Sequence, residues 1–305
     1  MSQKYPETEN TASQTFDPVG LAKATMRFLP TGPLRVALER LTSIEPDVRE
    51  VDDFGMDESY VDDVAPLMNF FFEQYFRVDM SGGENIPTEG PVILVANHAG
   101  ALPWDAILLI YALRNKISGS RALRPLLEDL LFYFPYLGTF MNRLGAVRAC
   151  HENAERLLRK GSSILVFPEG AKGTNKLYRE RYKIQRFGRG GVIRLALATG
   201  APIIPVALVG SEEANPMLGK LSLLARPLGL PYIPITPTFP WLGPLGLIPL
   251  PVRWRIRIGE PVLLPEAKGE KGLDRVSMKR INDKLRNSVQ SMVDEALEDR
   301  DGFFS

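Results

Sequence analysis

The chain has 305 residues, 45% of them apolar and 24% charged, enough for one large domain with a real core and unlike the composition of a disordered chain. Its 37 Lys and Arg against 36 Asp and Glu leave a formal net charge of +1, so bulk charge gives no reason to expect a nucleic-acid partner. A single cysteine, Cys150, excludes an internal disulfide, and one cysteine with two histidines cannot build a conventional zinc site without carboxylates.

In chain order, residues 1–18 are polar and predict a disordered tail. Residues 19–77 predict a helical and acidic extension. Within it, VGLAKATMRFL and GPLRVALERLTSI have amphipathic helical spacing, EPDVREVDDFGMDESYVDDV reads as a solvated connector, and APLMNFFFEQYFRV predicts a helix with an aromatic face.

From 78 to 299 the pattern becomes that of an α/β domain. PVILVA, SSILVF and APIIPVALVG are apolar without alternation, as strands covered on both faces are. DAILLIYALRN, HENAERLLRKG and GGVIRLALATG predict helices between them. Strand and helix in alternation predict a mostly parallel central sheet flanked by helices, with the reactive crevice outside the carboxyl ends of the strands.

Further on, VRWRIRIGEPVLL alternates and predicts an edge strand whose Arg253, Arg255 and Arg257 reach solvent, followed by a long amphipathic helix to residue 299. The apolar segment Leu228–Pro251 is too rich in proline for a simple spanning helix. Its Tyr232, Phe239 and Trp241 suit a reversible contact with a membrane interface. With no basic-then-apolar opening segment, the expected location is the cytoplasm or the cytoplasmic face of a membrane.

Two constellations fall at strand ends. In NHAGALPWD, six residues separate His98 from Asp105, Gly100 and Pro103 among them. An imidazole titrates near neutrality and can take a proton, and a carboxylate on its other ring nitrogen would fix its tautomer. The same two residues would also serve as plain caps of a strand and a helix, and spacing alone leaves both readings open.

In LVFPEGAKGTNK, Glu169 and Gly170 follow a strand, with Lys172 and Lys176 close behind. A glycine turn beside lysines can hold a phosphate or form a basic surface loop. Arg179, Arg181, Lys183, Arg186 and Arg189 follow among one acidic residue, which argues for an anionic partner near the crevice. Neither constellation matches the Walker lysine loop or the dinucleotide glycine fingerprint.

With these residues the chain resembles the glycerolipid acyltransferase family. Four blocks carry the likeness: NHAGALPWD, GTFMNRLGAVR, FPEGAKG and APIIPVAL, the last with Pro205 at its centre. The resemblance implies His98 as general base and Asp105 as its partner. It implies substrate-binding roles for Asn97, Arg143, Glu169, Gly170 and Lys172, with Arg143 holding the acceptor.

The implied reaction moves a fatty acyl group from an acyl-CoA or acyl carrier protein thioester to a hydroxyl of a lysophospholipid, glycerol phosphate or related glycerolipid. The thioester is a co-substrate and no bound cofactor is expected. The His98–Asp105 spacing is longer than the family's commonest pattern and resembles a variant branch. Lysine at 172, where arginine is usual, keeps charge but loses the planar fork, which opens the acceptor to neutral glycerolipids. A lipid or thioester hydrolase, and a non-catalytic lipid-binding protein, are the alternatives.

Overall fold

The computed structural model describes residues 50–99, 102–117, 122–133, 137–225, 232–262, 264 and 274–300. The tail 1–18 and the two amphipathic helices expected before residue 46 lie outside them. The described residues all belong to one compact unit, Val48–Ser305.

The strands are β1 (Asp79–Ser81), β2 (Ile93–Ala96), β3 (Leu123–Leu127), β4 (Val147–Arg148), β5 (Ser163–Val166), β6 (Ile203–Val209), β7 (Gly219–Leu221), β8 (Ile233–Ile235) and β9 (Arg255–Ile258). Seven form one sheet in the order β1-β9-β6-β2-β5-β3-β4, and β7 pairs with β8 apart from it. From β6 to β4 all neighbours are parallel, while β9 runs antiparallel to β6 and carries β1 parallel to itself. The expected mostly parallel sheet is present. Every residue of β2 and β6 is buried, which accounts for their lack of alternation.

The helices used below are α1 (Glu58–Asn69), α2 (Trp104–Asn115), α3 (Leu137–Arg143), α4 (His151–Arg159), α5 (Ala171–Thr174), α6 (Gly191–Thr199) and α7 (Arg275–Glu298). The chain moves one way across the sheet from β2 to β3 and β4, then back through β5 to β6. Right-handed crossovers therefore put α2 and α3 on one face and α4 and α6 on the other. Leu157 of α4, Ile193 of α6 and Val289 and Val293 of α7 share a buried cluster with Ile164 and Ile203 of the sheet.

On the other face, α2 is buried on nearly every side, because α1 and the π-helical turn Phe70–Tyr75 cover it. Tyr111 donates to Asn69 at 2.5 Å, and Phe71 meets Trp104 with ring centroids 4.8 Å apart. Phe72 and Phe76 of the FFFEQYF segment thus lie in the protein core, with Phe70, Phe71 and Tyr75 half-buried beside them. Among the described residues no helix is long and apolar enough to cross a membrane.

Two elements differ from expectation. The acidic stretch is not simply a solvated connector. Asp57, 1% exposed, caps α1 by accepting from the Tyr60 N–H at 2.9 Å and pairs with Arg143 at 2.7 Å, while Asp52 pairs with the buried Arg124. β9 is not an edge strand, because β1 covers its outer side. Arg255 turns inward to donate to the carbonyls of Ala296 and Asp299 at the end of α7, at 2.9 and 2.7 Å, where a cation suits the unsatisfied carbonyls.

Candidate active site

β2 delivers Asn97 and His98 to the carboxyl edge of the sheet. Asn97 is 2% exposed, and its amide clamps β2 to β6: Nδ2 donates to the Leu208 carbonyl at 2.9 Å and Oδ1 accepts from the Leu208 N–H at 2.7 Å. Expected among the substrate-binding residues, Asn97 does not line the cavity at this edge. The clamp fixes the backbone from which His98 projects.

Asp105, in the first turn of α2, is fully buried and lies 2.5 Å from His98 Nδ1 through Oδ2. Its Oδ1 accepts from the Ala106 N–H at 2.8 Å, which helps fix the orientation of the carboxylate. With Nδ1 engaged, Nε2 is the ring nitrogen left for chemistry, and His98 lines the cavity. Burial opposes charge on this imidazole, but Asp105, with Glu169 and Glu128 adding their fields, outweighs it and raises the His98 pKa above its ordinary value.

Glu169 is a positioning group. Its Oε1 accepts from the His98 N–H at 2.9 Å and its Oε2 from the Gln185 N–H at 2.6 Å, so one carboxylate ties the loop after β2 to the segment before α6. Behind it, Lys176 Nζ lies 3.6 Å from Glu169 and 2.8 Å from Glu212, all three buried. Lys176 therefore balances internal charge and is not part of a basic surface loop.

Gly170 takes φ +55° and ψ −147°, a backbone region that side-chain-bearing residues avoid, and it lines the cavity. At Gly173, an added Cβ would sit 2.8 Å from the His98 carbonyl and 3.0 Å from the His98 Cβ, so only glycine lets α5 pack against His98. Phe167 completes the setting, stacked on the imidazole at 4.2 Å between centroids.

The cavity has a volume of about 1450 Å³. Leu126, Leu131, Leu195, Tyr232, Phe239 and Leu247 give it a mainly apolar wall long enough to accept a hydrocarbon chain, with Glu128, Arg189 and Arg194 as charged lining. Arg143 and Lys172 are not among its lining residues. Arg143 is engaged by Asp57 and stacks on Tyr60 with its guanidinium carbon 3.7 Å from the ring centroid, and Lys172 points to solvent. Among the described residues no group of His, Cys, Asp and Glu is placed to hold a metal ion.

Sequence reasoning did not find Phe167, Gly173, Glu128, Gln185 or Arg194. Phe167 and Glu128 stand just beyond strand ends and Arg194 in the first turn of α6, whereas Gln185 lies in a loop with no local signal.

Residues 77–209 match the family described as Acyltransferase, a span that includes His98, Asp105, Arg143, Glu169 and Lys172. The chain is 44% identical over 255 residues to an uncharacterized protein of Mycobacterium tuberculosis, covering 83% of this chain and 71% of that one. It is 29% identical over 185 residues to a Gallus gallus protein named DGAT1/2-independent enzyme synthesizing storage lipids, covering 60% and 52%. Its fold matches the crystal structure of the 1-acyl-sn-glycerophosphate acyltransferase PlsC from Thermotoga maritima, with a TM-score of 0.51 and 21% identity, covering 92% of this chain and 97% of the other. Residues 77–209, which hold the His–Asp pair at the carboxyl edge of this sheet, thus belong to the Acyltransferase family.

Proposed function

We propose that the protein transfers a fatty acyl group from an acyl thioester, acyl-CoA or acyl carrier protein, to a hydroxyl of a lysophospholipid, glycerol phosphate or related glycerolipid. The observation that carries this reading is the His98 Nδ1 to Asp105 Oδ2 contact of 2.5 Å at the mouth of a chain-sized apolar cavity. In this mechanism His98 Nε2 takes the proton of the acceptor hydroxyl as its oxygen attacks the thioester carbonyl. Asp105 holds the ring and balances the imidazolium that forms. Collapse of the tetrahedral intermediate breaks the carbon–sulfur bond, and the thiolate leaves with the proton returned by His98. No enzyme nucleophile takes part.

The setting proposed for the reaction is a membrane surface, with the protein peripheral. The segment that lines the cavity with Phe239 and Leu247 also turns Trp241, Leu242 and Leu245 outward, at 75%, 59% and 68% exposure. Continuity between an oily cavity and an exposed oily surface suits a substrate that arrives from a bilayer.

Purified protein incubated with labelled acyl thioester and a panel of lysolipids, glycerides and a water-only control tests the reading. The expected product is a labelled lipid whose formation requires both thioester and acceptor. Free fatty acid alone would replace transfer with hydrolysis, and neither product would remove the catalytic reading.

A further inference from the structure

The cations that line the cavity are not the ones the family blocks single out, although Arg189 belongs to the basic run that follows Lys176. Arg143 is held by Asp57 and Lys172 faces solvent, so neither offers its charge to the cavity. Arg189 and Arg194 both line it, both are exposed, and among the described residues neither has a carboxylate partner.

The segment that carries them is tied to two neighbouring elements and braced by one bond of its own. The Gly188 N–H donates to the Pro168 carbonyl at 2.9 Å, Asn282 Nδ2 donates to the Gly188 carbonyl at 3.0 Å, and Arg194 Nη1 donates to the Arg189 carbonyl at 3.2 Å. Two guanidinium groups on an anchored turn, at the rim of an apolar cavity, form a preorganised receptor for a phosphate group. His151, at the start of α4, lines the same cavity. Among the described residues one carboxylate lines the cavity, that of Glu128, which lies beside Gly170 with its Oε1 3.4 Å from where a Cβ on that glycine would be. A phosphate is repelled there and attracted at the arginines.

We infer that Arg189 and Arg194 form the phosphate site of this cavity, taking the role that the motifs assign to Arg143 and Lys172. The inference rests on the acyl-transfer reading for the identity of the ligand, a substrate phosphate, which belongs either to the coenzyme A of the donor or to the head group of a phosphorylated acceptor.

The test measures equilibrium binding of coenzyme A and of 1-oleoyl-lysophosphatidate. Palmitoyl-N-acetylcysteamine and monooleoylglycerol, which lack phosphate, serve as their uncharged counterparts. In the R189A/R194A double variant, at least one phosphate ligand is expected to weaken about tenfold or more, the uncharged ligands less than about twofold, and R189K/R194K to recover part of the loss. An unchanged melting temperature of the variant confirms that the fold is intact. Loss confined to coenzyme A assigns the site to the donor and loss confined to lysophosphatidate assigns it to the acceptor, and either supports the inference.

Equal loss for charged and uncharged ligands overturns it, as does no loss for either phosphate ligand. It also fails if K172A produces the phosphate-specific loss and R189A/R194A does not. Because binding is read without turnover, a protein that holds coenzyme A through these arginines yet transfers no acyl group would overturn the proposed function and leave this site standing.

Discussion

At the scale of single residues, the site depends on the protonation of one imidazole. In the proposed mechanism His98 must be neutral to accept a proton, and its carboxylate neighbours raise its pKa above the ordinary value of about 6.5. The acidic limb of the kcat/KM profile is therefore expected above about pH 6.5, with activity rising as pH rises through it. Replacing Asp105 with Asn removes the strongest of those fields and should move that limb toward lower pH, while costing on the order of 10²–10⁴ in rate through lost orientation and charge balance. Glu128→Gln should move the limb in the same direction by a smaller step. A pH profile that stays in place in both variants would assign the limb to another group. His98→Ala should abolish transfer with circular dichroism unchanged, and near-normal transfer by that folded variant would remove His98 as the base.

At the scale of elements, the catalytic loop is held by charges buried under it. Lys176 stands between Glu169 and Glu212, and Glu212 also accepts from the Tyr182 N–H at 2.9 Å. Burial raises the Glu212 pKa and Lys176 pulls it back, so removing the ammonium leaves a carboxylate without its counter-charge. Lys176→Met is expected to destabilise the fold by about 3–5 kcal/mol in urea titration, far more than Lys172→Met at the solvent-facing position of the same loop. Equal effects from the two would mean that the buried network contributes nothing specific. This contrast also shows what the sequence could convey. Doubly apolar strands, alternating helices and the positions of His98 and Asp105 were legible because each follows from a local pattern. Whether Lys172 or Lys176 is buried, whether Arg143 meets a substrate or Asp57, and whether β9 lies at an edge all depend on what other elements bring alongside, which no local pattern encodes. Asp57 and Arg143 are 86 positions apart, and β1 and β9 pair across a far longer stretch of chain, Asp79 opposite Arg255. Arg255 looked solvent-facing because its strand alternates, yet that alternation has β1 on its outer flank and the end of α7 within reach of its side chain.

At the scale of the whole molecule, the question is how a chain with no described membrane-crossing helix meets a lipid substrate. Among the described residues, five of the nine exposed large apolar side chains lie between Trp241 and Ile248. Trp241, Leu242, Leu245 and Ile248 project from the turn that carries Phe239 and Leu247 into the cavity wall. A patch of this kind lowers its free energy by entering the interfacial layer of a bilayer. Burying a side chain the size of Trp or Leu gains roughly 1.5–3 kcal/mol, so losing both Trp241 and Leu245 should weaken vesicle binding by about 10²-fold or more. The double variant Trp241→Ser, Leu245→Ser is therefore expected to cosediment poorly with phosphatidylcholine vesicles. It should lose transfer to acceptors presented in those vesicles while keeping most of its rate on short-chain acceptors dispersed as monomers. Such a split separates docking from chemistry, since damage to the cavity itself would lower both rates together. Unchanged cosedimentation of the double variant would place the membrane contact on another part of the chain.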